Sequence, residues 1–186
     1  MMALVRDIPD PGFAGDDGSA PAALVEALRR YDARPDDLHA ATLTVLQGTR
    51  LLVPVVAVLA EAEVDAAGLV HDKTSDMATV LMRGRDGRTA LLAFTSTGTL
   101  RRWNADARPV PVPVARAAEA AVQDGAAAML VDVAGPVPFV VDTDDLHELA
   151  RGHLLVRLDP ADPADRADRG DRAELSDRYG WVTPGR

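Results

Sequence analysis

The chain contains no cysteine. Disulfides, thiolate metal sites and cysteine nucleophiles are therefore excluded. Aromatic residues make up only 4%, so exposed rings on which bases could stack are scarce and the core must be built from Val, Leu and Ala. Lysine is nearly missing too: Lys73 is the only one, and arginine supplies the other basic side chains. The longest apolar run, Leu51 to Leu59, is interrupted by Pro54 and falls far short of the ~20 residues that span a bilayer. Met1 to Pro11 has no basic stretch leading into an apolar one, so no secretory signal is expected. Also absent are a Gly-rich phosphate loop, a dinucleotide fingerprint, a nucleophile elbow and a zinc-helix signature. A net charge of -9 and a pI near 4.8 give a mean field that repels phosphate backbones and anionic lipid. These absences together predict a cytoplasmic protein without a cofactor, a nucleic-acid ligand or a membrane partner.

What is present is enough for one folded domain. At 186 residues and 47% hydrophobic, the chain can bury a sizeable core. The stretch Leu91 to Trp103 organises it: an apolar run ends at Phe94, hydroxyl residues follow, and Leu100 and Trp103 recur at helical spacing. A strand feeding directly into a short helix is predicted, with Thr95, Ser96 or Thr97 as the N-cap.

Around that joint, Met1 to Ser19 has the Gly, Pro and Asp content of a loop. Ser19 or Asp17 can cap a helix whose apolar face is Leu24, Leu28 and Tyr31, with Val25 beside it. A second helix starts at Asp36 and Asp37, lines Leu38, Thr42, Val45 and Leu46 along one face, and has Gly48 as its natural stop. Leu51 to Leu59 is too continuous for a strand with one wet face, so a central strand is expected, with a bulge or local edge at Pro54. Glu61 to Asp72 reads as a loop. A hairpin follows, from Met77 to Arg83 and from Thr89 to Phe94, turning at Asp86-Gly87.

In Pro109-Val-Pro-Val-Pro-Val114, the alternate prolines strip every N–H from one side of an extended chain and leave the valine donors on the other. That suits an edge strand protected against further pairing, with polyproline II as the rival conformation. An Ala-rich helix, Ala115 to Asp124, and strands at 128–133 and 138–142 suggest a crossover unit. Thr143 would cap a helix from Asp144 to Arg151, and a last strand is expected at 154–158. Asp159 to Arg178 is a mixed-charge run that cannot form a core. Tyr179 and Trp181, in the same tail, are expected to dock back on the domain.

Candidate chemistry is sparse. His39, His71, His147 and His153 are scattered without ligand spacing, so no metal is expected. Lys73-Thr-Ser-Asp-Met77 places the only lysine, two hydroxyls and a carboxylate in one loop, where a lysine of lowered pKa could act as a base or form a Schiff base. Solvated Lys73, with Ser75 and Asp76 satisfying loop N–H groups, is the plainer alternative. Thr95 and Ser96 could hold an anion at a helix N-terminus or serve as an ordinary cap.

Lys73 through Met77, Asp86-Gly87-Arg88, Phe94-Thr95-Ser96, Leu100, Trp103, Arg108-Pro-Val-Pro111 and Gly135-Pro-Val-Pro-Phe139 together resemble the N-terminal domain of the SseB family, the enhanced-serine-sensitivity proteins. The resemblance runs from about Pro21 to Arg151. It implies a bacterial family without a settled biochemical activity, whose members are generally described as non-catalytic or uncharacterised. Gly98 and Thr99 depart from the acidic helix formers expected there, which would weaken a capping box, and a second, C-terminal family domain is not expected.

The fold class expected is α+β: a single domain with a mixed β-sheet, a central antiparallel hairpin and helices packed on the sheet. Its divisions are an N-terminal loop (1–19), the SseB-like domain (20–158) and a mixed-charge tail (159–186). The expected function is a protein-interaction module, not an enzyme, with a candidate surface of Lys73, Ser75, Asp76, Thr95, Ser96 and Arg108. The partner would be a protein, and a homo-oligomer is a further option. The alternative is a small-molecule or anion-binding domain, or an enzyme, using the Lys73–Asp76 loop and the helix N-terminus at Ser96.

Overall fold

The structure, a computed structural model, describes Phe13 and residues 15–58, 76–158 and 179–185; of residues 56–58 and 76–78 it describes the backbone alone. Five helices and nine strands occur among them: α1 (Ala22–Ala33), α2 (Pro35–Leu46), β1 (Arg50–Val58), β2 (Asp76–Thr79), β3 (Leu81–Arg83), β4 (Thr89–Ala93), α3 (Thr97–Trp103), β5 (Arg108–Pro113), α4 (Val114–Gln123), β6 (Ala128–Val131), β7 (Phe139–Val141), α5 (Thr143–Ala150), β8 (Leu154–Arg157) and β9 (Tyr179–Val182). The α+β class with mixed pairing is as expected. The strands form three groups, ordered β2-β1-β5, β3-β4-β6-β7 and β8-β9, and a bridge between Leu52 and Phe94 ties the first to the second.

Alternation along the strands divides the interior in two. Leu51, Val53, Leu91, Ala93, Met129, Val131, Phe139 and Val141 point toward a main core that also holds Leu24 and Leu28 of α1, Leu43 and Leu46 of α2, Ala117 and Ala121 of α4, and Leu146 and Leu149 of α5. Their neighbours Leu52 and Leu92 point the other way, into a smaller core with Phe94, Leu100 and Ala107, against which Trp103 packs. The central strand expected at Leu51 is thus covered on both faces.

Pro54 needs no bulge. It lies opposite Pro109, and Pro111 and Pro113 lie opposite Leu52 and Arg50. Leu52 exchanges both backbone hydrogen bonds with Phe94, so even-numbered residues of β1 direct their backbone away from β5. Pro54 therefore lacks its donor where pairing with β2 has already ended, at Val55 opposite Thr79. β5 is an edge strand whose valines, not prolines, face β1, and polyproline II is ruled out.

Other local expectations are corrected. The run from Met77 to Arg83 breaks at Val80: β2 pairs with β1, while only β3 forms the hairpin with β4, turning through Gly87 at φ 84°. The parallel pair is β4 with β6, so the chain between them crosses through α3, β5 and α4 instead of through one helix. α1 begins after Pro21 with no side-chain cap, because Asp17 accepts from the backbone and hydroxyl of Ser19 instead. Asp142, not Thr143, caps α5. α2 stops at Gln47 in right-handed conformation, so Gly48 is not its left-handed stop. The Gln47 amide donates to the Leu155 carbonyl at 2.7 Å and accepts from its N–H at 2.8 Å, which fixes β8 to α2. Tyr179 and Trp181 dock on the main core as part of β9, paired with β8.

Candidate functional site

The joint from strand to helix is where polar groups concentrate inside the protein. Phe94 is fully buried, with its ring 5.5 Å from that of Trp103. Thr95 is buried as well. Its N–H and hydroxyl donate to the two carboxylate oxygens of Asp132, at 2.9 and 2.6 Å, across the end of the β4-β6 pair. Asp132 is 2% exposed and has φ 55°, a left-handed conformation that Asp tolerates better than most residues.

Ser96 caps α3. Its Oγ accepts from the Thr99 N–H at 3.1 Å, and the Thr99 hydroxyl accepts from the Ser96 N–H at 3.3 Å. Thr99 thus closes the capping box that its sequence departure seemed to weaken, because a hydroxyl can make the return bond that Glu or Gln usually makes. The Thr97 N–H is taken by the Gly18 carbonyl at 2.8 Å. The N–H groups of Thr97 and Thr99, in the first turn of α3, are therefore taken by the protein's own acceptors.

Behind this turn lies Arg50, only 8% exposed although it opens a strand. It donates to the Thr95 carbonyl at 2.5 Å, to the Ser19 carbonyl at 2.7 Å, and through Nε and one terminal nitrogen to the two oxygens of Asp16, at 2.5 and 2.9 Å. The Arg50 hydrogen bonds, aided by the Gly18 N–H, hold the Asp16 carboxyl down to about 2 from an ordinary 3.8. One guanidinium thus fastens the N-terminal loop to the central joint.

Of the six residues proposed from sequence, Thr95 and Ser96 meet at this joint. Arg108 is exposed at the start of β5, opposite Val55 on β1. Lys73 and Ser75 lie outside the described residues, and Asp76 opens β2 with only its backbone described. Arg50, Asp16 and Asp132 escaped sequence reading: a lone Arg before an apolar strand and an Asp after one look like ordinary boundary residues.

A second feature is a shallow apolar groove of about 210 Å³ on the face of the four-stranded sheet that also carries the smaller core, against which its Met82 and Leu130 pack. Met82, Ala90 and Ala128 form one row across β3, β4 and β6, and Leu130 and Val140 belong to the next. Asp86 and Arg88 stand at one end, paired at 2.6 Å, and the Arg88 bond holds the Asp86 carboxyl below the usual carboxylate range. Asp142 stands in the lining with them. Around the corner, the same Asp142 groups with His39 and Asp145, so that one donor atom of each lies within 4.8 Å of the others.

A profile of the SseB protein N-terminal domain matches residues 24–148, about two thirds of the chain. The chain belongs to the SseB family. No curated protein and no solved structure shows a significant match. The matched span of this SseB domain begins at Leu24 and ends in α5, so it contains Arg50, the strand-to-helix joint, Asp132 and the whole groove. Among the described residues, no helix is long and apolar enough to cross a membrane.

Proposed function

We propose that this SseB-family chain is a non-catalytic, cytoplasmic protein-interaction module that binds its partner through the groove beside the smaller core on the β3-β4-β6-β7 sheet. The observation that carries this reading is the groove over Met82, Ala90, Ala128, Leu130 and Val140, in which Val140 is 45% exposed on a three-residue edge strand. A contiguous apolar floor with a polar rim is the usual form of a protein contact site. The occupant would be a partner protein that inserts an apolar anchor side chain, with Arg88, Asp86 and Asp142 meeting polar groups around it.

Two further observations support an interaction role over catalysis. No hydroxyl is hydrogen-bonded to a histidine among the described residues, so the nucleophile–base pair of covalent catalysis is not assembled there. The hydroxyls at the joint are bonded to Asp132 and to the helix itself, which favours a scaffolding role for Thr95 and Ser96.

The test is comparative capture from the native host, using the wild-type chain, Val140→Asp in the groove, and Val25→Asp on α1, where Val25 is 51% exposed. A partner retained by wild type and Val25→Asp but lost by Val140→Asp is the expected result. Equal capture by all three, or capture by none, would overturn the reading. If the partner is a second copy of the chain, light scattering would show wild type as a dimer and Val140→Asp as a monomer.

A further inference from the structure

We propose that His39, Asp142 and Asp145 form a binding site for a divalent transition-metal ion, with Zn²⁺ the best fit. The site shares Asp142 with the rim of the groove but takes its other two ligands from outside the groove lining, and it does not depend on the interaction role.

The three side chains come from two elements. His39 is on α2; Asp142 is the N-cap of α5, and Asp145 is three residues further on. N-cap and third-residue positions bring both carboxylates to one side of the first helical turn. Asp142 uses Oδ1 to accept the Asp145 N–H at 3.2 Å, which leaves its other oxygen available. His39 Nε2 lies 3.1 Å from Asp145 Oδ2. A tetrahedral ion with bonds of about 2.0–2.1 Å sets its donors about 3.3 Å apart. The His39–Asp145 pair is already at that separation, and Asp142 offers a carboxylate oxygen within 4.8 Å of both.

The imidazole is held for the purpose. Its ring lies flat on Phe139, with centroids 4.8 Å apart and planes 15° from parallel, while Tyr31 packs edge-on against the same Phe139. Phe139 is fully buried, so this platform is rigid. Fixing a ligand ring through packing lowers the ordering cost of metal binding.

Ligand chemistry selects the ion. One imidazole nitrogen with two carboxylate oxygens suits Zn²⁺, Mn²⁺ or Co²⁺, whereas Ca²⁺ and Mg²⁺ favour all-oxygen sets. Three protein donors leave the fourth position of a tetrahedral ion open to water or to a donor from another molecule.

The experiment uses the full chain, stripped with chelator, desalted and titrated calorimetrically with ZnCl₂. Saturable binding at one ion per chain is expected, together with a rise in Tm. Asp142→Asn, which keeps the cap, and His39→Gln, which can still bond Asp145, should each weaken binding by about tenfold or more. His147→Gln, outside the cluster, should bind like wild type. Imidazole NMR of the ¹⁵N-histidine-labelled wild type gives an independent reading that needs no variant: Zn²⁺ should shift one histidine ring, absent from the His39→Gln spectrum. No saturable binding, stoichiometric binding indifferent to both substitutions, or a shifted ring other than His39 would each overturn the proposal.

Discussion

Arg50 and Asp16 are joined by two parallel hydrogen bonds across 34 positions of chain, and Arg50 is the more buried partner. A guanidinium taken out of water is costly unless its donors are satisfied. Asp16 and the Ser19 and Thr95 carbonyls do so here, and the bonds to Asp16 and Ser19 hold the N-terminal loop against the joint. Removing the carboxylate leaves that charge buried without compensation. Asp16→Ala is expected to destabilise the domain by about 2–3 kcal/mol, somewhat less than the ~3–5 kcal/mol of breaking a fully buried pair, because the Asp16 side chain remains 19% exposed. Urea unfolding measures it. A change below about 0.5 kcal/mol would mean that Arg50 is held by the two carbonyls alone.

The same pair gives the fold a pH dependence of definite sign. Asp16 sits at about 2 in the folded chain against an ordinary 3.8, so folding favours its ionised form. The stabilisation is complete above the ordinary value and is lost as pH falls through about 2. The stability difference between wild type and Asp16→Asn should therefore be flat down to about pH 4 and shrink between pH 4 and 2. A difference that grows on acidification would contradict the assignment.

Asp132 combines two roles that substitution can separate. Its carboxylate satisfies the buried Thr95 N–H and hydroxyl, and its backbone is left-handed. Asp132→Gly removes the carboxylate but keeps the backbone permitted, whereas Asp132→Ala adds the left-handed penalty of about 1 kcal/mol. Alanine should be the worse of the two by that margin. Gly135 belongs to the same turn: a Cβ there would sit 2.8 Å from Asp132 Cβ and 3.0 Å from its carbonyl oxygen. Gly135→Ala should cost about 1–3 kcal/mol by overpacking. Thermal unfolding of the three variants ranks them.

Local pattern and long-range placement were unequally legible in the sequence. The joint at Phe94 to Trp103, the two-sided burial of β1, the docking of Trp181 and the edge strand at Pro109 all follow from periodicity and missing donors, which act within a few residues. The break at Val80 did not, because a continuous β-forming run carries no sign that its halves belong to different sheets. Nor did the parallel β4-β6 pairing, which depends on the route of three intervening elements. Of the six surface residues named from sequence, Thr95 and Ser96 meet, because neighbours in a turn cannot separate. The partners of Thr95 and its surroundings, Asp132, Arg50 and Asp16, lie 31 to 45 positions from what they bind. No spacing rule reaches that far. The same distance hid His39 from Asp145, 106 positions away.

The proline pattern of β5 can be tested as an edge guard. Val110 and Val112 pair with Val53 and Leu51, while Pro109 and Pro111 occupy the positions whose N–H would face the open edge. Replacing both prolines by valine removes no ladder hydrogen bond. Stability should fall only by the added freedom of the unfolded chain, about 0.4–1 kcal/mol for each. The edge, however, would now present two donors in register with its carbonyls, the arrangement that recruits another strand. Pro109→Val/Pro111→Val should remain folded by circular dichroism yet form oligomers that light scattering detects at concentrations where wild type does not. Pro113 is left in place because it is also the N-cap residue of α4, and changing it would mix two effects. If the double variant stays as dispersed as wild type, the prolines are not what keeps the edge unpaired, and the exposed Arg108 at its start would be the next residue to replace.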